Sequence, residues 1–279
     1  MNSVVRQLHE QNTDVVMVDT GNSYEGLCEY LGGKYISYTE EKPITMNPFR
    51  INREEMNVEK TGFLKNLVLL IWKGTQGTIT KTEDRLIEHV ITEYYDAYFN
   101  GFEGFTPQQR EDLRKSLVID DRNRGEQKGE SEQERATRIE DTINKIESRR
   151  MKLKVKELSF NSFYEYSVQR IPDICDENRI TGIDISTYRY MMKDFYRGGN
   201  HDKTLNENMD SSLFDETFIV FEIDSIKDDP LLFPLVTLII MDVFLQKMRI
   251  KKGRKALIIE EAWKAIASPT MAEYIKFLY

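Results

Sequence analysis

Two adjacent carboxylates, Glu260 and Glu261, directly follow a short apolar segment near the end of the chain. The segment, residues 256–259, predicts a buried strand of a parallel sheet. Open α/β sheets bind their ligands at the carboxyl ends of the strands, where carboxylates are costly to bury without a cation or a proton-transfer task. The alternative is an acid pair at the N-terminus of a surface helix, where negative charge suits the helix dipole.

A second predicted strand also ends on an acid. Residues 15–18 form an apolar run that stops at Asp19, and Gly21 follows in a turn. We expect Asp19 to face the same crevice as the two glutamates, across the point where the strand order reverses. The alternative is a turn-forming acid before Gly21. Asn22 or Ser23 is expected to cap the next helix.

The composition is that of a globular protein, with 40% hydrophobic and 31% charged residues. A net charge of −8 argues against a surface that mainly coats nucleic acid. It leaves room for a local basic patch, such as Lys251, Lys252 and Arg254, although such a run is usually a solvated turn. Cys28 and Cys175 lie too far apart to indicate a disulfide framework or a metal site.

No segment predicts a membrane span. The most apolar stretch, residues 231–245, is interrupted by Pro234 and Asp242, whereas a span needs about 20 apolar residues. The first residues lack the apolar region of a signal peptide. We therefore expect residues 231–245 to lie in a buried core helix.

The order of the predicted elements divides the chain into three parts. Residues 1–56 and 201–279 alternate helices with strands, and residues 57–200 form a helical block between them. In this block Asn161 is predicted to cap a helix that ends before Pro172. Tyr94, Tyr95 and Tyr98 follow a helical spacing that predicts packing in the core rather than a base-stacking platform.

Several segments together resemble one family. In chain order they are Val15-Val16-Met17-Val18-Asp19-Thr20-Gly21-Asn22-Ser23-Tyr24, Met46-Asn47-Pro48-Phe49, Lys193-Asp194-Phe195-Tyr196-Arg197-Gly198-Gly199, Phe221-Glu222-Ile223-Asp224 and Leu257-Ile258-Ile259-Glu260-Glu261-Ala262-Trp263. Their order and spacing resemble the conjugation ATPases of type IV secretion systems, the TraG/TraC/TrbE-like family. The resemblance is closer to the TraG proteins of Bacteroides-type conjugative transposons.

The resemblance implies an α/β fold, a partial RecA-like P-loop NTPase sheet with a large helical insertion. It implies that residues 256–261 are a Walker B element, in which Glu260 holds magnesium through its water shell and Glu261 orients the attacking water. Asp19 would then face the nucleotide. The parent protein would use ATP and Mg²⁺ and act as a hexamer with other conjugation proteins, and contact with DNA is open. We expect it in the cytoplasm, peripheral to the bacterial inner membrane.

The chain departs from the family pattern at the phosphate-binding loop. The phosphate-binding loop, Gly-x-x-x-x-Gly-Lys-[Ser/Thr], does not occur in the 279 residues. Gly32-Gly33-Lys34 is no substitute, because Tyr35 follows and the first glycine is missing. We therefore expect a fragment without Walker A that binds nucleotide weakly and does not hydrolyse it. The alternatives are a non-catalytic interaction module or part of a related DNA-pumping ATPase.

Overall fold

The computed structural model describes residues 2–123, 130–208, 210–262 and 272. Its strands are β1 Thr13–Asp19, β2 Lys34–Ser37, β3 Phe218–Glu222 and β4 Arg254–Ile259. The helices in this part of the chain are α1 Asn2–Glu10, α2 Glu25–Tyr30, α3 Val58–Lys73, α4 Lys81–Phe99, α5 Pro107–Asn123, α6 Glu132–Lys152, α7 Phe160–Asn178, α8 Ile185–Met192 and α9 Leu232–Ile250. Short 3-10 turns follow α8 and β3.

The four strands form one parallel sheet in the order β2-β3-β1-β4. All residues of β1 and β3 are buried, as is typical of central parallel strands that are covered on both faces. The predicted α/β class with a parallel sheet and a large helical part is confirmed. Strands from both ends of the chain build this sheet, because β3 and β4 flank β1.

Alternate residues of β1 point to opposite faces of the sheet. Val15 and Met17 join a small core beneath α1 and α2. Val16 and Val18 join a much larger core that continues through α9 into the helical block. The sheet and the helical block thus share one apolar interior, while the boundaries predicted for the three parts of the chain stay predictions.

A buried ion pair joins the helical block to the sheet layer. Lys60 on α3 donates from Nζ to Oδ2 of Asp242 on α9 at 2.7 Å, and the two side chains are 3% and 4% exposed. The ammonium group also lies 4.7 Å from the ring centre of Phe63. The predicted core helix of residues 231–245 is confirmed in α9, and Asp242, which interrupts the apolar stretch, serves as the partner of Lys60.

The predictions for the three tyrosines and for Pro172 in the helical block are confirmed only in part. Tyr94 and Tyr95 are buried as expected, but Tyr98 is 39% exposed. The predicted end of α7 before Pro172 is wrong, because the helix continues to Asn178. Proline offers no N–H to the carbonyl four residues earlier, and that carbonyl, of Val168, accepts instead from the Arg189 guanidinium at 3.4 Å.

The predicted cap at Asn161 is also wrong. Ser159 is the N-cap of α7, and its hydroxyl accepts from the backbone N–H of Ser162. The side-chain oxygen of Asn161 instead accepts from the backbone N–H of Arg197, in the loop after α8, at 3.1 Å. Among the described residues, no helix has both the length and the apolar character that crossing a membrane requires.

Lys60→Met is expected to lower the free energy of unfolding by about 3–5 kcal/mol, because it leaves the Asp242 carboxylate buried without its cation. The double variant Lys60→Met/Asp242→Leu is the matched control and should recover most of this loss, since no unpaired charge remains. Urea unfolding of the three proteins measures both values. A cost below about 1 kcal/mol for Lys60→Met alone would contradict a stabilising role for the pair.

Candidate functional site

Three acids lie at the carboxyl edge of the sheet, one on each of three neighbouring strands. The register pairs Asp19 with Glu222 across β1 and β3. Val18 pairs with Ile259 across β1 and β4, and the N–H of Glu260 donates to the Val18 carbonyl at 3.0 Å. Asp19, Glu222 and Glu260 therefore end their strands side by side. Parallel α/β sheets bind ligands at this edge.

Asp19 is fully buried, and its carboxylate organises the turn after β1. One oxygen, Oδ1, accepts from the N–H of Gly21 at 3.1 Å. The other, Oδ2, accepts from the N–H groups of Ser23 at 2.9 Å and Tyr24 at 3.2 Å. The two interpretations of Asp19 from the sequence do not exclude each other. Asp19 forms the turn before Gly21, and it also lies at the carboxyl edge of the sheet, where a site was predicted. Its contact with a nucleotide stays a prediction.

The expected cap of α2 at Asn22 or Ser23 is wrong. Tyr24 is the N-cap residue, and its side chain makes no capping bond. The Asp19 carboxylate accepts the N–H groups of Ser23 and Tyr24, which precede the first helical residue, so it fixes the turn that leads into α2 rather than capping the helix. Asn22 adopts a left-handed conformation with φ 52°, which asparagine tolerates better than most residues.

Glu222 is a site residue that the sequence patterns missed. It is 5% exposed, and Oε2 accepts from the N–H of Asn22 at 3.0 Å and the Tyr35 hydroxyl at 3.3 Å. Burial and the nearby Asp19 carboxylate raise the pKa of Glu222, although the N–H groups of Asp224 and Asn22 oppose the shift. The sequence does contain a pattern that could have identified Glu222: the apolar run 218–221 is followed directly by an acid, as is the run before Asp19.

Glu260 is held at both its backbone and its side chain. The Tyr24 hydroxyl donates to Oε1 of Glu260 at 2.9 Å. The second carboxylate oxygen, Oε2, has no hydrogen-bond partner in the described part of the chain. The side chain is half-buried rather than sealed in the core. Within the described residues, Glu260 therefore has one oxygen bound by the protein and one without a partner, which a ligand could use.

Glu261 leaves the line of the strand abruptly. Its backbone has φ 49°, in the left-handed region, and its side chain is exposed. This conformation costs a residue other than glycine about 1–2 kcal/mol. Strain of this kind is concentrated at functional sites. Trp263, two residues further along the chain, lies outside the described residues.

The donors at this edge suit a magnesium ion that keeps most of its water. Carboxylate oxygens are ligands that Mg²⁺ prefers, and it is commonly held by one or two carboxylates, waters and substrate phosphates. Among the described residues no group of three His, Cys, Asp or Glu side chains could hold a metal ion alone. Oε2 of Glu260, which has no partner in the part of the chain that the structure describes, fits this pattern of few carboxylate ligands and several waters.

A parallel sheet covered by helices, with acids at the carboxyl ends of adjacent strands, defines an α/β protein of the nucleotide-binding type. The TraG P-loop domain family matches this chain in two overlapping segments, residues 1–118 and 98–279. The chain belongs to this family. The resemblance seen in the sequence is thereby confirmed at the level of the family.

A solved structure shares the fold. The structure of VirB4 of Thermoanaerobacter pseudethanolicus is similar to this chain with a TM-score of 0.55 and 17% sequence identity. The match covers 99% of this chain and 60% of that chain, so these residues span about three-fifths of that protein's length. No curated protein sequence matches the chain.

Glu222→Gln is expected to flatten the pH dependence of stability. Because the folded-state pKa of Glu222 lies above its unfolded value, the protonated carboxyl favours folding. That stability is present below the ordinary glutamate pKa and is lost as pH rises through the raised pKa. Urea unfolding in EDTA from about pH 4 to about pH 8 measures the difference. The control is Glu41→Gln on an exposed loop, and identical pH profiles for Glu222→Gln and wild type would disprove the prediction.

Proposed function

We propose that this chain is part of an ATP-hydrolysing motor that powers conjugative DNA transfer through a type IV secretion system, of the kind found in conjugative transposons. The observation that carries the proposal is the acid pair at the end of β4, where one carboxylate oxygen of Glu260 has no partner among the described residues. Membership of the TraG P-loop domain family supports it. The shared fold with VirB4 supports the nucleotide-binding architecture.

In this proposal Glu260 holds magnesium through its water shell, and Glu261 orients the water that attacks the γ-phosphate. Residues 256–261 are then the Walker B element. Magnesium, when bound, neutralises charge on the phosphate oxygens. The exposed position and left-handed backbone of Glu261 turn its side chain out of the strand, which suits a residue that must reach a water molecule rather than the core. Asp19 supports the turn beside the nucleotide.

The parent protein would act with other conjugation proteins, as a hexamer at the cytoplasmic side of the inner membrane. Its P-loop would supply most of the contacts to the phosphates, through backbone N–H groups and a lysine. These 279 residues contain no such loop. ATP and magnesium therefore belong to the parent protein, and this chain alone binds them weakly or not at all.

The chain as given is expected to show no ATP hydrolysis above the buffer rate in a phosphate-release assay with magnesium. In the longer protein that also carries a P-loop, Glu261→Gln should lower kcat by about 10²–10⁴, since a positioned general base contributes about this much. The matched control is Glu40→Gln, a loop acid outside the site that should leave kcat unchanged.

Two outcomes would contradict this assignment. Robust hydrolysis by the 279-residue chain, abolished by Glu261→Gln, would show that the missing P-loop is dispensable. A longer protein that hydrolyses ATP equally well with and without Glu261→Gln would remove the catalytic role from this residue.

A second candidate function, a contact surface for DNA or another anionic partner, is favoured by the segment that begins at the last residue of α6. Lys152, Lys154 and Lys156 are exposed, while Leu153 and Val155 between them pack against the core. None of these three ammonium groups has an ion-pair or hydrogen-bond partner among the described residues. An outward row of cations is suited to a phosphate backbone. The helical block would then be an interaction module.

The triple variant Lys152→Gln/Lys154→Gln/Lys156→Gln is expected to weaken binding of a labelled single-stranded oligonucleotide and to reduce the slope of log affinity against log salt by about 2. Fluorescence anisotropy at several salt concentrations measures both. The control, Lys252→Gln/Arg254→Gln, changes the exposed basic turn before β4. If only the control variant loses affinity for the oligonucleotide, the contact lies at that turn instead. If the wild-type chain does not bind the oligonucleotide, this function is excluded.

A further inference from the structure

The phenol of Tyr24 contacts the proposed magnesium ligand Glu260, but the proposed chemistry gives Tyr24 no role. Tyr24 is 3% exposed and packs in the small core beneath the sheet with Val15, Met17 and Val220. Its hydroxyl leaves this core at the carboxyl edge and reaches Glu260 across the end of β1. A buried tyrosine hydroxyl needs a hydrogen-bond partner, and here the partner is the acid assigned to magnesium.

We propose that Tyr24 is the positioning residue of Glu260: its hydroxyl holds Oε1, so that Oε2 stays directed to the crevice. This inference rests on the proposed function for the role of Glu260, but the hydrogen bond itself does not. Residues that orient a metal-binding carboxylate in this way commonly contribute about 10–100-fold to metal affinity or activity.

The position of Tyr24 is itself determined by Asp19. The buried Asp19 carboxylate accepts the backbone N–H of Tyr24 at 3.2 Å and that of Ser23 at 2.9 Å. This fixes Tyr24, the N-cap residue of α2, relative to β1. The N–H of Glu260 donates to the Val18 carbonyl on the same strand. Tyr24 and Glu260 are thus each hydrogen-bonded to the end of β1, the first to Asp19 and the second to Val18. The bond between them joins these two contacts.

A phenol suits the role of a fixed donor at this place. Its hydroxyl donates to Oε1 of Glu260 at 2.9 Å, while the side chain is only 3% exposed. A water molecule in the same place would have no fixed orientation, whereas the ring is held by its packing in the core.

Tyr35 offers a matched comparison on the other side of the same edge. Its hydroxyl lies 2.7 Å from Oδ1 of Asn22 and 3.3 Å from Oε2 of Glu222, and it donates to these oxygens. It makes no hydrogen bond to Glu260. Tyr35→Phe removes the same atom at the same edge of the sheet, so it separates a specific effect on Glu260 from a general loosening of the sheet edge.

The first experiment measures the side-chain order of Glu260 by ¹³C relaxation in the metal-free 279-residue chain, with its signals assigned through Glu260→Gln. Tyr24→Phe keeps the ring and removes only the hydroxyl, so the fold should persist. We expect a clear loss of order at Glu260 in Tyr24→Phe and none in Tyr35→Phe. Unchanged order at Glu260 in Tyr24→Phe, or an equal loss in both variants, would overturn the proposal.

The second experiment uses the longer protein that carries a P-loop. Tyr24→Phe should lower kcat roughly 10–100-fold and raise the magnesium concentration at half-maximal rate, while KM for ATP changes little. A purely structural Tyr24 would lower the melting temperature and leave the magnesium dependence unmoved, which would refute the positioning role. Absence of ATP hydrolysis in the wild-type protein would instead reject the proposed function, and the relaxation experiment would still decide the role of Tyr24.

Discussion

The buried carboxylate of Asp19 is the interaction on which the rest of the site depends. Removing a carboxylate from water costs several kcal/mol unless donors replace the lost solvation. Three backbone N–H groups do so here, from Gly21, Ser23 and Tyr24. In making these bonds, Asp19 fixes the turn after β1 and the start of α2. The direction of the Tyr24 side chain, and hence its bond to Glu260, follows from that turn.

The same edge concentrates negative charge, and among the described residues no positive side chain is bonded to any of its three strand-end acids. Asp19 and Glu222 are buried neighbours, and their proximity raises the pKa of Glu222. Neutral donors, backbone N–H groups and two phenols, satisfy most of the oxygens in place of lysine or arginine. Such donors stabilise the carboxylates without cancelling their charge, so the edge retains its attraction for a cation. Magnesium with its water shell fits this arrangement.

The helical block connects to this edge through the shared core rather than through a flexible link. The face of the sheet formed by Val16 and Val18 continues through α9 into α3, where Lys60 meets Asp242 in the apolar interior. A buried ion pair of this kind is sensitive to the relative position of its two helices, because each charge is costly without the other. The block and the strands that carry the acids are therefore held in one arrangement.

The sequence by itself determined the α/β class, the strands that end at Asp19 and at Glu260, and the buried course of α9, because apolar runs and their periods are local properties. It did not reveal Glu222 as a site residue, since the order of strands decides which acids become neighbours, and β3 comes to lie beside β1 from 200 residues away. Local signals also misplaced the N-cap of α2, which is Tyr24, a residue held in place by Asp19 from the preceding strand. At Pro172 the helix continues, and Arg189, a tertiary partner, donates to the carbonyl that proline leaves without a donor. Only the tertiary structure could decide these points, because each depends on a hydrogen bond or a charge contact made across the fold.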